Sequence, residues 1–329
     1  MGALGKMEME KVPQAGYRIE GLWISGLQRK LTAGNLAFPF KVLLSLRKSR
    51  RILKEFKPHI AVGVGGFASG PLLYAAAKMN IPTLIQEQNS YPGITNKILA
   101  RRVRKICVAY DHMERFFPEE KIVFTGNPVR KDLMDISGKR EAALKFFGLN
   151  ANEKVLLVIG GSLGARTLNA SLYQNIGALI DNKVQTIWQT GRIYHQEFKD
   201  KMAKYGSERV KLVEFLKEMD LAYAAADAVI SRAGALSVSE LCLAGKPVIF
   251  VPSPNVAEDH QTKNALSLAN QRAALIVKDA DARTELVPEA IRLLNDEPKR
   301  RELETNIRKL ARPNATDNIV NEIIDLIGE

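Results

Sequence analysis

Short apolar, β-branched runs that alternate with glycine turns and stretches of helical spacing constrain this chain more than any other feature. Candidate strands fall at residues 59–64, 82–86, 105–109, 121–125, 154–159, 184–189, 210–214, 228–231 and 247–251, and helix-like segments at 72–79, 163–180 and 236–244. A parallel strand pair needs a crossover long enough to hold a helix, so this alternation predicts an α/β fold of parallel sheets covered on both faces. Most of the runs are largely apolar, as doubly covered strands require. The alternation pauses where TGNPVR (125–130) leads into the polar stretch MDISGKREAALKFF (134–147). We therefore expect two doubly wound, Rossmann-like domains with a cleft between them. The first spans 1–127, the second 128–313, and 314–329 packs back on the first. The tail reads as helical from Pro288, a residue suited to a first turn, until Pro313 breaks it before an amphipathic segment at 316–327. The first clear strand–glycine–helix unit begins only at His59, so the chain reads as starting partway into a domain.

Composition narrows the partners. The 48 Lys+Arg against 36 Asp+Glu leave a formal charge of +12, which favours nucleotide phosphates, nucleic acid or an anionic membrane surface. No nucleic-acid recognition motif or aromatic platform accompanies that charge, so nucleic acid is set aside. Cys107 and Cys242 lie far apart in apolar runs, which predicts buried thiols in a reduced cytosolic chain. His59, His112, His195 and His260 show no ligand spacing, and no metal is expected. No run reaches the roughly 18 apolar residues of a membrane span, and MGALGKMEMEK lacks a signal-peptide core. A soluble cytoplasmic protein is expected.

Two glycine-rich turns follow strands and precede helices: GVGGFASGP (63–71), with Gly65, Gly66, Phe67 and Ser69, and IGGSLGARTLN (159–169), with Ser162. Glycine lets backbone amides approach a ligand, and a helix N-terminus favours an anion. Neither turn matches the dinucleotide fingerprint or the P-loop, so phosphate binding and a tight structural turn both stay open for each. A third unit, ISRAGALSVSELCLAGKPVIFVP (230–252), carries Glu240 about two turns into its helix. A carboxylate there can accept from both hydroxyls of a ribose, or simply face solvent. Polar clusters close other strands: QEQNSYPG (86–93), TGNPVR and EDHQTKNA (258–265). Glu87, Asn89 and Gln261 offer the donors and acceptors a sugar needs, and Arg130 suits a pyrophosphate. Turn stabilisation by Asn89 and Asn127, and a structural pairing of Arg130, are the alternatives. Residues 36–57 combine Phe38, Phe40, Leu43 and Leu44 with seven basic residues against the single Glu55. That pattern fits an anionic monolayer or a packed helix with a solvated basic face. Arg101, Arg102, Arg104 and Lys105 add a second basic cluster to the same half.

In order and spacing these segments resemble the MurG family, inverting glycosyltransferases of the GT-B fold. The markers are ISGL (24–27), GVGGFASGP, EQN with TNK (87–89 and 95–97), GNPVR, GGSLGAR, EF (214–215) and SRAGALSVSE. The resemblance implies transfer of N-acetylglucosamine from UDP-N-acetylglucosamine to an undecaprenyl-linked muramoyl-pentapeptide, without a cofactor, at the cytoplasmic face of the cell membrane. It implies that Ser162 and its loop, with Arg130, hold the donor pyrophosphate. Glu240 would take the ribose and the Leu216 backbone the uracil, with Ala235, Leu236, Ser237, Val238 and Ser239 lining the site. Gln261 and Asn89 would meet the N-acetylglucosamine. Gly65, Gly66, Phe67 and Ser69, with the basic apolar segment, would take the lipid pyrophosphate and the anionic inner-membrane surface. The family opens with a GGTGGH loop that has no counterpart here, so its histidine cannot be carried over. Glu87 stands in as a speculative base, with His260 behind it. The alternative is a relative that binds UDP-sugar or lipid without turnover.

Overall fold

The computed structural model describes residues 1–26, 37–205 and 208–328. Leu27 of ISGL and Leu36 at the head of the basic segment lie outside the described residues. The chain divides into two compact units, residues 1–127 with 314–329 and residues 128–313.

The first unit opens with β1 (Gly2–Ala3), α1 (Glu8–Gln14) and β2 (Gly21–Leu22), the two strands pairing in parallel. Strands of two residues show no alternation, so the sequence gives no sign of them. Next come α2 (Phe38–Phe56), β3 (Ala61–Gly63), α3 (Gly66–Lys78), β4 (Thr83–Glu87), α4 (Ile94–Leu99), β5 (Lys105–Val108) and β6 (Ile122–Phe124). Strands β3 to β6 form a parallel sheet in chain order. Helix α3 begins six residues before the expected 72, because Ala68, Ser69 and Pro71 in its early turns are buried. Burial of such small residues outweighs the weak helix propensity of Gly66 and Gly70. The core gathers Leu53, Leu73, Ala76, Ile85 and Ile106. Each large aliphatic side chain there contributes roughly 1.5–3 kcal/mol. Helix α2 turns Ser45, Ser49 and Leu53 inward and leaves Phe40, Leu43, Leu44 and Phe56 exposed. Its Ser45 hydroxyl donates to the Trp23 carbonyl at 3.1 Å and its Lys48 ammonium to the Gly21 carbonyl at 2.8 Å, so it grips β2. An open cavity of about 1010 Å³ lies beside β3, lined by Met1, Ile19, Ile52, Ile60, Val62 and Leu72 among others.

The second unit comprises α5 (Arg140–Phe147), β7 (Val155–Ile159), α6 (Arg166–Gln174), α7 (Ile176–Asp181), β8 (Gln185–Gln189), α8 (His195–Met202), β9 (Val210–Val213), α9 (Met219–Ala225), β10 (Ala228–Ser231), α10 (Ala235–Ala244), β11 (Val248–Phe250), α11 (His260–Ala269), β12 (Leu275–Ile276), α12 (Ala282–Asn295) and α13 (Glu297–Lys309). Its parallel sheet runs β12-β11-β10-β7-β8-β9. The winding therefore reverses at β7, which pairs with β8 on one side and β10 on the other. The single helix expected over 163–180 is two, divided at Asn175, whose amide donates to the carbonyls of Ser171 and Arg283. Pro288 does not open the tail: it sits inside α12, which starts earlier because Ala282, Leu286 and Val287 enter the core. The first-turn proline belongs to α13, capped by the Asp296 carboxylate accepting from the Lys299 amide at 2.9 Å. After it α14 (Ala315–Gly328) places Ile319 and Leu326 beside Leu84 and Cys107 of the first unit, and Glu322 lies 3.5 Å from Lys105. Both cysteine thiols are buried, and desolvation pushes each up to about 12.

The loops after β7 and β8 touch backbone to backbone. A Cβ on Gly191 would strike the Gly164 backbone, and one on Gly164 the Thr190 carbonyl, while both glycines hold positive φ (79° and 88°). Gly191→Ala should therefore lower unfolding free energy by ~2 kcal/mol or more, read as a drop in the urea midpoint at unchanged slope.

Candidate active site

The reversal at β7 puts two loops side by side at the carboxyl ends of β7 and β10, the position where open α/β sheets collect ligands. The first, residues 160–165, leads into α6; the second, residues 232–234, leads into α10. Neither helix carries a side-chain cap among the described residues, so both present N-terminal backbone donors and the positive end of the dipole. Ser162 is exposed at the tip of the first loop. The Gly164 amide is occupied, donating to Gly161 O at 3.0 Å, and the Arg192 amide donates to Ser162 O at 3.1 Å. These bonds tie the loop into a fixed shape. Of the stretch 161–165, Gly164 is thus committed to the turn itself.

On α10, Ala235, Ser237 and Ser239 are half-buried and Leu236 is exposed, while the Ser239 hydroxyl donates to Ala235 O at 3.1 Å. Val238 points into the core, so any ligand contact at that position runs through its backbone. Glu240 stands two turns in, its side chain 17% exposed, and is not the solvated helix glutamate of the alternative reading. Its Oε1 lies 3.4 Å from the Arg130 guanidinium, and its Oε2 accepts from the Tyr223 hydroxyl at 3.4 Å. Burial raises the Glu240 carboxyl above the ordinary carboxylate range, against the pull of Arg130 and of the Tyr223 hydrogen bond. Burial likewise holds the Tyr223 phenol well above its usual value, so it remains a proton donor. Arg130 also donates to Lys217 O at 3.3 Å, next to buried Leu216 and exposed Phe215 in the loop after β9.

Sequence reading missed the lock beneath this site. Arg232 donates to the carbonyls of Val251 (2.8 Å) and Pro252 (3.2 Å) and pairs with Asp279 at 2.6 Å. Thr167 of α6 donates to the other Asp279 oxygen at 3.0 Å. One ion pair thus joins the ends of β10, β11 and β12 to α6, and Arg232 is neutralised by a carboxylate. Its partner lies 47 residues downstream, and no local pattern marks it. Gln261, in the first turn of α11, accepts the Ser253 amide at 2.9 Å, and His260 is tied to Ala257 O at 2.7 Å.

In the first unit, Gly65 and Gly66 open α3 at positive φ (93° and 75°), with open space where a Cβ would stand. Ser69 is buried and donates back to Gly65 O, and Phe67 is exposed with Lys6 5.9 Å from its ring centre. Glu87, expected as a speculative base, lies at the end of β4. It is 3% exposed, and four donors fill its carboxylate. Oε1 accepts the Asn89 backbone amide (3.0 Å) and side-chain amide (3.4 Å). Oε2 accepts Gly93 N (3.3 Å) and Asn96 Nδ2 (2.8 Å). A group so enclosed shapes the loop between β4 and α4. Asn127 reinforces that loop, donating to Gln88 O at 3.0 Å and accepting from Gln86 at 2.8 Å.

Comparison with known proteins adds to this geometry. Residues 1–108 match the glycosyltransferase family 28 N-terminal domain, and residues 155–321 the glycosyltransferase family 28 C-terminal domain. A UDP-N-acetylglucosamine–N-acetylmuramyl-(pentapeptide) pyrophosphoryl-undecaprenol N-acetylglucosamine transferase of Cytophaga hutchinsonii is 55% identical, over 100% of this chain and 88% of its own length. The enzyme of the same name from Flavobacterium psychrophilum is 54% identical, over 99% and 88%. The crystal structure of Acinetobacter baumannii MurG superposes with a TM-score of 0.79 at 30% identity, covering 98% of this chain and 89% of that one.

The carboxylate of Glu87 has a direct test. Glu87→Ala strands the four donors around it and should cost ~3 kcal/mol or more of stability, measured by chemical denaturation.

Proposed function

We infer the function of this chain from its family: it belongs to glycosyltransferase family 28, among the MurG transferases. It is an N-acetylglucosaminyltransferase that moves N-acetylglucosamine from UDP-N-acetylglucosamine to undecaprenyl-pyrophosphoryl-N-acetylmuramoyl-pentapeptide in peptidoglycan synthesis. A hydroxyl of the acceptor sugar attacks the anomeric carbon as the bond to the diphosphate breaks, with inversion. Negative charge grows on the leaving UDP, and catalysis requires that charge to be met by preorganised donors.

The observation that carries the donor half is the pair of uncapped helix N-termini at the β7/β10 reversal, with a half-enclosed carboxylate beside them. In this reading Ser162 and the N-termini of α6 and α10 hold the diphosphate, and Arg130 adds a cation. Glu240 accepts the ribose hydroxyls, the Leu216 backbone reads the uracil, and residues 235–239 line the pocket with Gln261 toward the sugar. Asn89 is read as a further contact to the sugar. The Gly65–Gly66 turn at α3, with Phe67 and Ser69, takes the lipid pyrophosphate through backbone donors. The base that accepts the hydroxyl proton is left unassigned by the enclosure of Glu87.

For the membrane, the exposed start of α2 supports attachment to the anionic cytoplasmic face. Phe40, Leu43 and Leu44 stand in water beside Arg47, Arg50 and Arg51. Apolar insertion and roughly 1 kcal/mol per basic group add together at such a surface. Among the described residues no helix is long and apolar enough to cross a membrane.

Calorimetry with UDP-N-acetylglucosamine tests the donor site. Glu240→Ala should weaken binding about a hundredfold, the loss of two hydrogen bonds to a charged acceptor; unchanged affinity would refute the assignment. Transfer of labelled N-acetylglucosamine to the lipid acceptor separates a working transferase from a relative that only binds. Phe40→Ser with Leu44→Ser should reduce sedimentation with phosphatidylglycerol vesicles about tenfold, and salt should weaken what remains.

A further inference from the structure

Tyr223 is among the largest fully buried side chains of the second unit, yet it ends in a hydroxyl. A buried phenol needs a partner, and here that partner is the Glu240 carboxylate. The two residues sit on different helices, α9 and α10, which pack side by side. Helix α9, which carries the phenol, begins at Met219, three residues after Leu216 in the loop from β9. Arg130 spans the same elements from outside, reaching Lys217 O and Glu240 Oε1 together.

A carboxylate that is to accept two ribose hydroxyls must be held in one orientation, because a glutamate side chain free to rotate loses ordering entropy on binding. The phenol approaches Oε2 and the guanidinium Oε1, each at 3.4 Å, so the carboxylate is oriented from two sides. Burial works against the charge, and each donor offsets part of that penalty.

We propose that Tyr223 is a positioning residue for donor recognition: its hydroxyl orients Glu240 toward the ribose and couples that carboxylate to the loop at Leu216. This rests on the reading of Glu240 as the ribose acceptor. Tyr223 is 1% exposed, so a ligand at the surface meets Glu240 and not the phenol. Its effect runs through Glu240 alone, and that distinguishes it from a residue that merely fills the core.

The experiment compares UDP with 2′,3′-dideoxyuridine diphosphate by calorimetry on the parent, Tyr223→Phe and Glu240→Ala proteins. The parent should prefer UDP strongly, and Glu240→Ala should abolish that preference. Tyr223→Phe should cut the preference about tenfold by weakening UDP, while affinity for the dideoxy analogue stays as in the parent. Because the readout is a ratio of two affinities on one protein, a partly unfolded sample changes the stoichiometry and leaves the ratio intact. Tyr223→Met, which fills the site without a donor, takes its place should Tyr223→Phe not fold. An undiminished preference in these variants, or an equal loss for both ligands, would overturn the inference while leaving Glu240 in place. A preference retained by Glu240→Ala would sink the ribose reading and this inference with it.

Discussion

The geometry of the candidate site depends on one strand. β7 is hydrogen-bonded on both sides and fully buried, and the winding of the sheet reverses across it. Because neighbouring parallel strands run the same way, all their following loops emerge at one end, and the reversal keeps the loops after β7 and β10 from being crossed by a connection. The glycine turn at 160–165 and the opening of α10 are neighbours for that reason alone. The Gly164–Gly191 approach and the Arg232–Asp279 pair then fix those loops in place. A site built this way needs little flexibility of its own.

Much of this was readable in the residues. Strands long enough to alternate, such as β4, β7 and β8, declare themselves through apolar runs bounded by glycine and asparagine. The glycine turns and the Glu240 segment also stand out, because their residue types are costly where no special backbone or ligand calls for them. What stayed hidden depends on distance along the chain. Two-residue strands have no period to detect. The start of α3 carries poor helix formers that burial overrides, and Pro288 sits mid-helix because its neighbours fill the core. Tyr223 looks like any aromatic in an apolar helix until Glu240, 17 residues on, is folded against it.

Two glutamates show how environment divides one chemistry. Glu87 and Glu240 both stand near the carboxyl end of a strand, and either could be written as an acid or an acceptor. Glu87 meets four donors from its own loop and the first turn of α4, and these fill its lone pairs. Glu240 meets two donors at long range, each 3.4 Å away, and keeps capacity for more.

The cavity beside β3 carries a consequence for how the first unit comes apart. Among the described residues β1 and β2 share no ladder with the four-stranded sheet, and α3 packs against both β1 and β3. Cooperativity in a sheet is transmitted through shared strands, so a unit divided in this way should behave as two exchange domains of unequal free energy. The amides of β4 and β5 would then report global opening, and those of β2 a cheaper, subglobal event in which α2 lifts away. The slow breathing of the molecule would be concentrated along that seam, on the same helix that exposes Phe40 and Leu44 to whatever surface it meets.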